Sequence, residues 1–136
     1  MLFRYLALLV PLLVASTQAY AFSIELFEYV DGRKIVAFID ESDIDDSVQW
    51  HPFKESPPIT IRKVTKSIHE YIASDKELKN AELTEIELRP IPRHEEHWHY
   101  VVKLKTEAND EVHYHYYVIL MSGKIIPAIR EPESIK

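Results

Sequence analysis

From Thr60 onward, Ile61, Val64, Ile68, Tyr71 and Ile72 recur at the three- and four-residue spacing of a helix face, and Thr60 stands where an N-cap belongs. The spacing predicts a helix running to about Ala73, with an apolar stripe wide enough to cover one face of a small sheet. Upstream, Ser23 to Ile39 reads as a hairpin around Asp31-Gly32, a dipeptide suited to positive φ. In that register Val30 faces Arg33, Leu26 faces Ala37 and Ile24 faces Ile39, while Phe27, Tyr29, Val36 and Phe38 point the other way. Downstream, the β-rich stretches Ala81 to Ile91, His97 to Thr106 and Val112 to Met121 read as strands. Ser122-Gly123 turns the chain into a short last strand, Lys124 to Ile129. Trp50 and Phe53 are expected to anchor the connection between hairpin and helix to the core.

Alternation sets an expected register. Trp98, Tyr100, Val102 and Leu104 share one face, as do Val112, Tyr114, Tyr116, Val118 and Leu120, and both sets are expected to meet the helix. A turn over Glu107 to Glu111 then places Lys105 opposite His113, Lys103 opposite His115 and Val101 opposite Tyr117. The same logic sets Ile86 against Tyr100, Leu88 against Trp98 and Glu87 against His99. On the face away from the helix, Val101, Tyr117, Ile119 and Met121 are expected to form an apolar patch, which a soluble monomer rarely leaves open. Either the hairpin or the Trp50 to Phe53 segment folds over it, or a second copy or a protein partner docks there with Tyr117 as anchor.

The expected fold class is therefore α+β: one helix packed across a four-stranded antiparallel sheet, with an N-terminal β-hairpin. Met1 to Ala21 reads as a signal peptide, with Arg4, the apolar run Leu6 to Val14 and the A-x-A pattern Ala19-Tyr20-Ala21. Cutting there takes the chain from 136 to 115 residues and its net charge from −6 to −7. No membrane span is expected after cleavage, and a periplasmic or secreted location follows. Residues 22–56 form the hairpin and an acidic connection, 57–129 the α+β domain and 130–136 a frayed tail. The acidic balance argues against nucleic acid or anionic lipid as partner. The chain has no cysteine and two glycines, which excludes disulfide and thiolate-zinc scaffolds and glycine-rich phosphate loops.

The order of helix and strands carries a family likeness. Pro57-Pro58-Ile59-Thr60-Ile61 opens the helix, the strands Leu83-Thr84-Glu85-Ile86-Glu87-Leu88 and Trp98-His99-Tyr100-Val101-Val102 follow, and Met121-Ser122-Gly123-Lys124 forms the terminal turn. Over residues 57 to 129 the chain resembles the PepSY and PepSY-like family of small secreted bacterial domains. The resemblance implies a cystatin-like arrangement and a non-catalytic envelope role, with modulation of a secreted peptidase among the roles proposed for such domains. No functional residue carries over from it, and the Gln-x-Val-x-Gly loop of true cystatins has no counterpart here.

Candidate chemistry is sparse. The seven histidines include two i, i+2 pairs on predicted strands, His97 with His99 and His113 with His115, and such spacing points both imidazoles to one face. His97, His99 and the cross-strand Glu87 make the better metal candidate, against an ordinary Glu87 to His99 ion pair. Lys105 and Lys103 are expected beside His113 and His115, where they would repel a cation. The run Asp40 to Asp46 lacks the glycine and terminal glutamate of an EF-hand loop and reads as a solvated loop or a helix cap at Ser42. His94-Glu95-Glu96-His97 is one residue short of the zincin spacing, and no nucleophile elbow is present. The expected function is a non-catalytic binding module for a protein or peptide, itself included, without a cofactor; a metal-binding envelope protein is the alternative.

Overall fold

The computed structural model of the chain describes residues 23–30 and 32–130. The expected signal segment lies outside the described residues, as do 131–136. Strand β1 (Ser23–Val30) and strand β2 (Arg33–Asp40) form the N-terminal hairpin in the register expected, with Leu26 opposite Ala37 and Ile24 opposite Ile39. Helix α1 (Glu41–Asp45) follows directly, and the acidic run folds into it rather than into a loop. Its N-cap is Asp40 rather than Ser42; Ile44 is buried, and Asp43 pairs with Lys124 at 2.7 Å.

Helix α2 (Ile61–Ile72) starts where Thr60 places it: the hydroxyl accepts a hydrogen bond from the Lys63 amide at 3.2 Å, satisfying one of the helix's unpaired N–H groups. Val64, Ile68 and Ile72 are its buried face, whereas Ile61 and Tyr71 remain exposed at either end of the stripe. Four strands complete a sheet beneath it: β3 (Glu82–Ile91), β4 (His94–Ala108), β5 (Glu111–Leu120) and β6 (Ile125–Pro127), in the order β3-β4-β5-β6. The two-residue strand β7 (Ile129–Arg130) leaves that sheet and pairs with β2. Arg130, expected at the start of the frayed tail, is thus held opposite Ile35.

The fold class expected from the sequence is corrected on this point. The described residues form two antiparallel sheets, β1-β2-β7 and β3-β4-β5-β6, and two short helices, not a single four-stranded sheet carrying one helix and an appended hairpin. One apolar cluster gathers Val64, Ile68 and Ile72 of α2 with Tyr100, Val102, Leu104, Tyr117, Ile119 and Met121. A second, on the other side of the same sheet, joins Ala37, Ile39 and Ile44 to Val118 and Leu120. Strand β5 is apolar on both faces, and a strand of that kind is stable only between two layers. Each side chain so buried contributes roughly 1.5–3 kcal/mol, so the second sheet is part of the core.

The expected register of β5 is also corrected. Tyr100 pairs with Ile119 and Val101 with Val118, one residue away from the alignment that sets Val101 against Tyr117. Its cause is the turn: Asn109 and Asp110 have φ of 53° and 63° and make a two-residue connection closed by Ala108 and Glu111. Two positive φ values are the signature of a type I′ turn, whose twist matches that of the flanking strands. A one-residue slip reverses every side chain. Tyr117 and Ile119 therefore share the helix side with Tyr100, while Tyr116, Val118 and Leu120 face the second sheet.

Strand β3 is displaced by two residues from expectation, with Ile86 opposite Val102 and Leu88 opposite Tyr100, which leaves its faces unchanged. The displacement comes from a bulge: Ile91 pairs with His94 and Pro90 with Trp98, so Glu95, Glu96 and His97 are extra on β4. Trp50 secures the bulge, its amide donating to the Glu96 carbonyl at 3.0 Å and its ring lying edge-on to Trp98 at 5.1 Å. Phe53, expected to share that anchoring role, is fully exposed. No helix among the described residues is long and apolar enough to cross a membrane.

Candidate functional site

Where the two sheets diverge they leave a cleft of about 280 Å³. Its walls follow from the alternation of three strands. Leu26, Ile35 and Ala37 line it from the hairpin, Val101 and His99 from β4, and Tyr116 and Val118 from β5, with Ala128 and Pro90 closing the sides. Most of this lining is apolar. Charge enters the lining through Glu25 of β1 and through Arg89 of β3, which pairs with Glu28 of β1 and Glu87 of its own strand. The guanidinium thus bridges the two sheets, and its fork geometry suits two carboxylates at once.

His99 stands opposite Arg89 in the β3–β4 ladder and is 2 % exposed. Its Nδ1 is buried with no hydrogen-bond partner among the described residues. Burial pushes the imidazole pKa down to about 4, and the positive charge of Arg89 acts in the same direction while Glu87 opposes it. The ring is therefore neutral at physiological pH, with one nitrogen that wants a partner. Glu87 is held below the usual carboxylate range by the hydrogen bond from Arg89, so it stays ionised.

The residues singled out from the sequence are dispersed by the register slip. Tyr117, Ile119 and Met121 do not form an outer patch: they are core residues under α2, Ile119 with no exposed surface and Tyr117 with 5 %. Val101 alone lies on the opposite face, where it lines the cleft. Of the metal alternative, Glu87 is occupied by Arg89 and faces Val101 rather than His99. The bulge sets His97 apart from the regular alternation of His99, and its ring contacts His94 at 6.5 Å. Among the described residues no group of three His, Asp or Glu side chains is placed to hold a metal. His115, for its part, shares a 2.9 Å hydrogen bond with Thr106, and His113 lies 3.4 Å from Glu111.

Arg89 and Glu28 escape a reading of the sequence, because nothing local joins β1 to β3 across two sheets. The available signal was the position of Arg89, an arginine at the end of an otherwise acidic and apolar strand. Comparisons with protein-family models, with curated proteins and with solved structures find no match for the chain.

Proposed function

We propose that the chain is a non-catalytic binding protein that receives a small uncharged molecule in the inter-sheet cleft, and that it works in the cell envelope, as its expected signal segment implies. The observation that carries this reading is the neutral, buried His99, whose imidazole stands in the wall of a mostly apolar cleft. A hydroxyl fits it best, because a hydroxyl both donates and accepts and so suits either imidazole tautomer. Charge selects against anions: an anion would compete with Glu28 and Glu87 for Arg89 and would meet Glu25 in the lining. The volume is nearly twice that of a cavity of about 150 Å³ that holds benzene, which corresponds to about ten to fourteen non-hydrogen atoms.

The test uses 4-propylphenol as probe. It is expected to raise the melting temperature and to shift the NMR signals of His99 and Val118, whereas 4-propylbenzoate does neither at the same concentration. Ala128→Leu, which fills the cleft from its side, is expected to keep the fold and weaken phenol binding at least tenfold. Equal binding of the benzoate, or unchanged binding by the leucine variant, would overturn the assignment.

A further inference from the structure

We propose that the outer edge of β3 accepts an extended segment of a partner protein as an added strand, and that this segment alternates apolar with basic residues. β3 is terminal in its sheet, so one row of its backbone N–H and C=O groups faces away from β4. A row of that kind is matched by another extended backbone, which narrows the occupant to a strand. The usable length is bounded by the chain itself. At one end the bulge between Leu83 and Glu85 breaks the ladder, with the Thr84 hydroxyl donating to the Lys103 carbonyl at 3.1 Å. At the other end Pro90 has no N–H to offer. Glu85 to Arg89 remains, enough for about five residues of pairing.

The two faces of that edge set the side-chain pattern. Toward α2 an apolar groove of about 200 Å³ runs between the helix and β3, lined by Ile68 and Ile72 on one side and Leu83 and Ile86 on the other. Leu83 is half exposed there, ready to cover an incoming apolar side chain. The opposite face of β3 carries Glu85 within that stretch and Glu82 just beyond the bulge, both exposed, while Arg89 at the other end is taken up by Glu28 and Glu87. Their cross-strand lysines are shared with other partners: Lys105 is drawn chiefly to Glu107 at 2.7 Å, and Lys103 lies 4.4 Å above the Tyr114 ring. Basic side chains on the added strand would meet these carboxylates, in keeping with the net negative charge of the chain.

Amide NMR of the full chain at low salt, titrated with acetyl-(Lys-Val)4-amide, tests this independently of the cleft. Saturable shifts are expected at Glu85 to Arg89, weakened at least tenfold in the Glu82→Lys, Glu85→Lys double variant and unaffected by Ala128→Leu. An added strand uses alternate N–H groups only. Of two peptides N-methylated on either all lysines or all valines, one is therefore expected to bind and the other not. No saturable shift at β3, or equal binding by both methylated peptides, would overturn the proposal.

Discussion

Ile119→Asp is expected to unfold the protein or bring it to the edge of unfolding. The side chain has no exposed surface and belongs to the cluster beneath α2, so the substitution buries a carboxylate with no partner. The cost of such a change exceeds about 4 kcal/mol, against a total stability for a domain of this size of about 5–15 kcal/mol. Phe53→Asp, at a fully exposed position, is the control and should change stability by no more than about 0.5 kcal/mol. Urea denaturation followed by circular dichroism measures both. A folded Ile119→Asp protein with near-normal stability would place that residue on an outer surface, as simple alternation from the expected turn has it.

The second large effect is a dependence of stability on pH that one residue controls. Burial and the nearby Arg89 charge hold the His99 pKa at about 4 in the folded protein, compared with 6.5 when unfolded. Between those values the unfolded chain takes up a proton that the folded one refuses, so stability falls as the solution is acidified through this window. At about 1.4 kcal/mol per pH unit the loss comes to about 3 kcal/mol by pH 4. The groups that surround the ring are Arg89 and Glu87 on β3, Glu28 on β1 and Tyr116 on β5. Glu87, held low by Arg89, contributes its loss only at still lower pH. His115 is also pushed down by burial, but it does so in any His99 variant and cancels in a comparison. His99→Leu should therefore show a much flatter stability profile between pH 6.5 and 4 than the parent protein, with stability at pH 7 within about 1.5 kcal/mol of it. Parallel profiles for the two proteins would mean that His99 is not buried and neutral.

Much of the architecture is legible in the sequence at its turns and caps. Gly32, at φ 76° between the paired Val30 and Arg33, marks the hairpin turn, and Thr60 followed by Val64, Ile68 and Ile72 locates α2. What alternation could not decide was β5. Its run Tyr116-Tyr117-Val118-Ile119-Leu120 is apolar at every position, so either register buries a plausible set. The deciding residues were Asn109-Asp110, whose type I′ geometry shifts the strand by one and turns an expected surface into core. The same unbroken apolar run held the information that a second layer was needed, since a strand with no polar face has no face for water.

The candidate site was less accessible still. His99 drew attention as a possible metal ligand through its spacing from His97, yet its importance comes from Arg89 and from a cleft made by strands remote in sequence. Glu28 and Arg89 are brought together only because β1 and β3 belong to sheets that face one another. A three-residue bulge cannot be read from alternation either, and it is this bulge, fixed by Trp50, that separates the two histidines.

Methyl-resolved nuclear Overhauser spectroscopy on the full chain reads the layering directly. Cross-peaks are expected from Val118 to the hairpin residues Ala37 or Ile39 and from Ile119 to Ile68 of α2. Cross-peaks in the reverse sense, Ile119 to the hairpin and Val118 to the helix, would contradict both the two-sheet arrangement and the cleft that depends on it.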